Sequence, residues 1–140
     1  MPVTHLLDPS VYSQPIGKQP HPEVMKRWQA LGDTALATSA ICEAEVLFGI
    51  RKRNSTRLLN GYETILKGRY DSLPVDSAVA AVYSELRADC ESRGKQVADM
   101  DLLIAATAKA NNLIVATLNT KDFEVIQGIT VEDWSTPLIS

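Results

Sequence analysis

Four carboxylates are spaced so that an α/β chain would bring them together: Asp8, Glu45, Asp101 and Asp122. Asp8 directly follows the apolar run Val3 to Leu7, and Asp122 lies five positions past Thr117, the end of the run Leu113 to Thr117. Glu45 falls in the helical stretch Ala40 to Arg53. At about 100° per residue, Ile41, Ala44, Leu47 and Phe48 form the expected apolar arc, Glu45 borders it, and Glu43 points about 160° away into solvent. Asp101 shares a face with Ile104, Ala105 and Ala108, and the small alanines favour close packing of that face. Structural readings stand beside the chemical one: Glu45 as a charge at the rim of the core, Asp101 as an N-cap or first-turn acid facing the helix dipole. Gathered carboxylates repel one another, so a protein that assembles several does so around a hard cation. Oxygen donors with only two histidines point to Mg²⁺ or Mn²⁺ rather than zinc. His5 lies within the first apolar run and reads as a hydrogen-bonded core residue. The chemistry that suits such a site is attack of water on a phosphodiester, the cation activating water and neutralising developing charge.

The elements that must position these acids alternate along the chain. Short apolar runs at Val3 to Leu7, Thr34 to Ser39, Ser72 to Val75, Leu113 to Thr117 and Ile129 to Val131 read as strands. Helical stretches are expected at Glu23 to Leu31, Ala40 to Arg53, Thr56 to Lys67, Asp76-Ser77 to Arg93, and from Asp99 or Asp101 to Asn111-Asn112. Gln14 to Pro22, with three prolines and a glycine, reads as a loop. Strands separated by helices imply βαβ units, hence α/β class with a central, mostly parallel sheet flanked by helices. Ligands of such sheets collect beyond the carboxyl ends of the strands, where Asp8 and Asp122 are placed.

The 140 residues suit one domain, 1–140, and the 45% hydrophobic and 22% charged content excludes a disordered chain. Cys42 and Cys90 lack CxxC spacing, which argues against a zinc site or a disulfide scaffold and favours reduced thiols in a cytoplasm. The start, Met1 to Asp8, has no basic n-region, and no run of about 18 apolar residues occurs, so neither a signal peptide nor a membrane span is expected. The net charge of −3 hides an asymmetry. Arg51, Lys52, Arg53, Arg57, Lys67 and Arg69 against Glu63 give +5, leaving −8 elsewhere. This strip is either a solvated helix face or a contact for a polyanion or partner, with Arg51, Arg53 and Arg57 the candidate contacts.

Four segments in order resemble the PIN-domain ribonucleases, and more narrowly the VapC toxins of type II toxin–antitoxin modules. They are Leu6-Leu7-Asp8-Pro9-Ser10-Val11, Ser39-Ala40-Ile41 with Glu45, Asp101-Leu102-Leu103-Ile104-Ala105-Ala106, and Thr117-Leu118-Asn119-Thr120-Lys121-Asp122-Phe123. The match spans nearly the whole chain, including Gly128-Ile129 and Trp134. The resemblance implies a PIN-like α/β/α sandwich, usually dimeric, that cleaves structured RNA with Mg²⁺ or Mn²⁺. By resemblance, Asp8, Glu45, Asp101 and Asp122 match the acidic quartet. Asp8 and Asp101 would be direct metal ligands, Glu45 and Asp122 would act through water or as supporting partners, and Ser10, Ser39 and Asn119 match supporting polar positions. Asn119 and Asp122 remain interchangeable as the fourth site residue. In the family an antitoxin tail commonly fills the acidic pocket with an arginine, while helices near the basic strip grip the antitoxin.

Position 9 departs from the pattern, being proline where the family usually has threonine, so a backbone donor and a hydroxyl are lost there, which leaves the aim of Asp8 open while all four acids remain. Pro9 thus sustains an alternative, a catalytically weakened PIN-like binding module acting through an antitoxin or RNA partner. Phosphotransfer folds fit poorly. Thr34 to Ser39 ends without a receiver's aspartate, position 10 is serine where an aspartyl phosphatase needs its second acid, and Gly94-Lys95 lacks the earlier glycine of a phosphate loop.

Overall fold

Short strands that are apolar on both faces can be buried only between two helical layers, and the computed structural model, which describes residues 2–137, has that arrangement. The start at Met1 and residues 138–140 lie outside the described residues. Five strands, β1 (His5–Leu7), β2 (Leu36–Ser39), β3 (Asp71–Leu73), β4 (Ile114–Thr117) and β5 (Val131–Asp133), form one sheet in the order β3-β2-β1-β4-β5. Every pairing is parallel.

Alternate residues of the central strands feed two cores. Leu7, Leu36 and Ala116 face a cluster with Val11, Trp28 and Tyr62. Leu6, Ala37 and Val115 face a second with Val79, Leu86 and Leu102. The first face is covered by α1 (Pro9–Tyr12), α2 (Pro22–Leu31), α3 (Ala40–Arg53) and α4 (Thr56–Gly61), the second by α5 (Ser77–Ser92) and α6 (Asp99–Ala110). The chain begins in the middle of the sheet, builds outward through β2 and β3, then returns to the other side of β1 as β4. The crevice between β1 and β4 is therefore a topological switch point, where open α/β sheets bind ligands.

Beyond shifted bounds at β3 and β5 and a short 3-10 helix at Gln14–Ile16 inside the expected loop, three local readings change. The stretch Thr56 to Lys67 is not one regular helix: α4 widens over Tyr62–Leu66 into a π turn closed by Lys67 N–H on the Tyr62 carbonyl at 2.8 Å. The expected arc of α3 is not its core face. Cys42, Val46 and Ile50 are buried at i, i+4 and i+8, while Phe48 is 67% exposed. Both arcs are apolar, so periodicity alone does not choose between them; packing against α1 and the tyrosines does. Glu43, expected in solvent, is half-buried and accepts hydrogen bonds from the hydroxyls of Tyr62 and Ser72. Among the described residues no helix is long and apolar enough to cross a membrane. Cys42 and Cys90 are buried free thiols in opposite cores.

Candidate active site

β1 ends at Leu7 opposite Ala116, which puts Asp8 beside Thr117 at the mouth of the switch-point crevice. Asp8 is 4% exposed. Its backbone N–H donates to the Ala116 carbonyl at 3.1 Å, and its side chain caps α1 by accepting from Val11 N–H at 3.0 Å. Ser10 Oγ donates to the same oxygen, Oδ1, at 2.6 Å, and Thr117 Oγ1 donates to Oδ2 at 2.5 Å. Those hydroxyls are aimed in turn. Ser10 Oγ accepts from Leu118 N–H at 3.0 Å and Thr117 Oγ1 from Asn119 N–H at 2.9 Å, which leaves each O–H for the carboxylate. Burial raises the Asp8 pKa above the ordinary carboxylate value, and the donors from Ser10, Thr117 and the backbone oppose that rise.

Pro9 leaves the three donors to Asp8 in place. Pro9 occupies the first position of α1, where a backbone N–H has no intrahelical partner, and the orientation of Asp8 is set by Ser10, Val11 and Thr117.

The other three acids arrive from separate elements. Ser39 is fully buried and caps α3 by accepting from Cys42 N–H at 3.0 Å, fixing the start of the helix that carries Glu45. Glu45 is half-buried, and burial followed by the charge of Asp8 raises its pKa. Asp101 stands in the first turn of α6, but it is not the N-cap, a position held by Ala98. Ile104, Ala105 and Ala108 are buried, as the shared face implied. The Asp101 carboxyl is pushed up to about 6, by burial first and then by the charges of Asp122, Glu45 and Asp8. Asp122 is exposed in the short turn Thr120–Asp122 after β4. Of the three neighbouring carboxylates it acts most strongly on Asp101. Asn119 is exposed in the same loop and contributes its backbone N–H to Thr117.

Among the described residues, none of the four acids is ion-paired with lysine, arginine or histidine. Asp101 feels the charges of the other three acids and Glu45 that of Asp8, with no ion-pairing cation among the described residues, a set of oxygen donors that fits a hard divalent ion. No three acidic, histidine or cysteine side chains among the described residues are tight enough to form a ready-made cage. That is compatible with Mg²⁺, which keeps several waters and takes only one or two carboxylates.

The basic strip divides. Arg51 and Arg53 lie in the last turn of α3, where cations complement the helix dipole, and Arg57 Nη1 donates to the Ile16 carbonyl at 3.1 Å. Arg53 lines a cleft shared with Ser10 and Glu45, whereas Arg51 lines a separate one beside Asn54 and Ser55. The histidines serve the fold. His5 is buried against Trp134 and Glu132, and His21 Nδ1 accepts from Glu23 N–H at the start of α2. Thr117 is the site residue that sequence reasoning passed over. A hydroxyl residue closing the strand next to β1 was the available signal.

Residues 6–129 match the PIN domain family. The chain is 34% identical over 137 residues to Toxin FitB of Neisseria gonorrhoeae, across 92% of this chain and 97% of that protein. It is 29% identical over 109 residues to the tRNA(fMet)-specific endonuclease VapC of Shigella flexneri, across 75% and 80%. The crystal structure of FitAcB from N. gonorrhoeae superposes with a TM-score of 0.84 at 31% identity, covering 94% of this chain and 98% of that one. VapBC2 from Rickettsia felis, bound to a DNA fragment from its promoter, superposes with a TM-score of 0.84 at 26% identity, covering 94% and 99%.

Proposed function

Because this chain belongs to the PIN-domain family, we propose that it is a VapC-type endoribonuclease, the toxin of a toxin–antitoxin pair, hydrolysing RNA phosphodiester bonds. The observation that carries the chemistry is the meeting of four carboxylates, without an ion-pair partner among the described residues, at the β1–β4 switch point, with Asp101 pushed up to about 6 by burial first and then by the charges of Asp122, Glu45 and Asp8. Asp8 and Asp101 are the proposed ligands of Mg²⁺ or Mn²⁺, with Glu45 and Asp122 supporting through water. A divalent cation at this centre supplies a more acidic water and positive charge against the phosphodiester.

The remaining work belongs to the chain's own side chains. Ser10 and Thr117 hold both Asp8 oxygens by O–H donors, so the carboxylate meets its ligand without reorganising. Ser39 anchors the helix bearing Glu45. Glu45, half-buried with a raised pKa, is the candidate to accept a proton from attacking water. Arg53 and the rest of the strip would meet RNA phosphates or an antitoxin. A cognate antitoxin partner is supported by the FitAcB and VapBC2 likenesses. A homodimer in the cytoplasm completes the reading.

The alternative of a weakened binding module keeps only the missing hydroxyl of position 9 as its motive, since the first helical position needs no backbone N–H. The test is incubation of antitoxin-free protein with total RNA and Mn²⁺. Wild type is expected to give cleavage products that chelation abolishes, and Asp8→Ala at least about 10³-fold fewer. Equal products from both proteins, or none from wild type, would remove the nuclease reading.

A further inference from the structure

Between α1 and α3 lies a cleft of about 420 Å³ that opens directly beside the acidic centre, because Ser10 and Glu45 belong to both. Its floor is apolar, built by Ile16, Val46, Ile50 and Leu58, and its rim carries Lys18 and Arg53. Among the described residues, Glu45 is its only acidic lining residue. We propose that this cleft is the subsite for one nucleoside of the RNA strand, adjacent to the scissile phosphate. The inference rests on the nuclease reading and deepens it.

Three observations favour a nucleoside. A flat base needs an apolar slot of this scale with polar groups at its edge, and ligand clefts run from roughly 300 Å³ upward. Ser13 and Gln19 line the cleft, and their side chains make no hydrogen bond among the described residues, so both remain for a base edge or ribose hydroxyl. Charge also varies along the cleft. Glu45 at the acidic end repels a bare phosphate, whereas Lys18 and Arg53 form no ion pair among the described residues and suit the next phosphate of the strand. A strand crossing here would set its scissile phosphate at the carboxylates, one base over Val46 and Ile50, and the following phosphate at the cations.

Gly49 supplies a further sign. It lies inside α3 and lines the cleft, and a Cβ built on it meets nothing within 4 Å. Glycine inside a helix costs about 0.5–1 kcal/mol relative to alanine, and no close approach in the fold requires it here. Its absence of side chain keeps the slot open.

Gly49→Leu fills the subsite from the helix position one turn after Glu45, so metal affinity must be read beside cleavage to separate the cleft from the acidic centre. Cleavage of a random-sequence RNA pool, with sequencing of the ends, is measured beside Mn²⁺ affinity and thermal melting. The proposal expects kcat/KM to fall by about tenfold or more, the base preference at one position flanking the cut to flatten, and Mn²⁺ affinity to stay within twofold. Should Gly49→Leu melt below wild type, Gly49→Ala, with equal or higher Tm, is expected to shift the same base preference. Unchanged cleavage and preference in a folded variant would overturn the subsite, as would unchanged cleavage with an altered oligomeric state, which makes the cleft a protein interface. A parallel loss of Mn²⁺ affinity would overturn it too, by placing the effect in the acidic centre. Absence of cleavage by wild type would instead remove the nuclease reading on which the subsite rests.

Discussion

Asp8 and Asp101 face the same centre but are held in opposite ways. The β1–α1 corner fixes Asp8 through Ser10, Val11 and Thr117, with the two hydroxyls themselves pinned by backbone N–H groups. At the start of α6, Asp101 has no such support among the described residues and is raised by burial first, then by Asp122, Glu45 and Asp8. One region supplies geometry and the other supplies unbalanced charge. A fixed carboxylate defines where a cation sits, and an uncompensated one gives it reason to bind.

The largest effect that would break this contrast is at Asp101. Asp101→Asn is expected to lower RNA cleavage by roughly 10³-fold while raising the melting temperature of the metal-free protein, because it removes a partly buried charge and its repulsion by three acids. The pH dependence follows from the same carboxyl, which titrates from a reference of 3.8 to about 6 in the fold. Between those values the folded state binds more protons than the unfolded one. Metal-free stability therefore falls as pH rises from about 4 to about 6 and levels off above. Thermal melts across that range check the slope, and a wild type whose stability rises over the same interval would contradict it.

A smaller effect is expected at the corner. Thr117→Val removes one of the two hydroxyl donors to a buried carboxylate, so cleavage should drop about tenfold and stability by about 1–3 kcal/mol in denaturant titration. A loss as large as that of Asp101→Asn would mean that Thr117 does more than orient Asp8. The smallest effect is at position 9: Pro9→Thr should change cleavage by less than about twofold, since the first helical position asks nothing of its N–H. A severalfold gain in rate would show that the corner is less rigid than its hydrogen bonds imply.

Much of this centre was legible in the sequence because it follows from strand ends. The order of strands and helices places Asp8 after β1 and Asp122 after β4, and the alanine-rich face of α6 identifies the buried side of Asp101. Helix α3 was less legible for a physical reason. Its sequence is apolar on two arcs, and only tertiary packing selects Cys42, Val46 and Ile50 over Ala44 and Phe48. Glu45 borders the core in either case, so its placement survived the wrong choice of face. The four-residue α1 and the π turn at Tyr62–Leu66 are too short to generate a period, and the role of Thr117 depends on a neighbour 109 positions away.

The claim that four carboxylates form a cation site is tested most directly by calorimetric titration of metal-free protein with Mn²⁺ at pH 6 and pH 8, in buffers of different ionisation enthalpy. The account predicts binding at both values, weaker at pH 6, with proton release at pH 6 that nearly vanishes at pH 8 and is reduced in Asp101→Asn. Absence of binding, or binding with the same proton release at both pH values and in the variant, would contradict it.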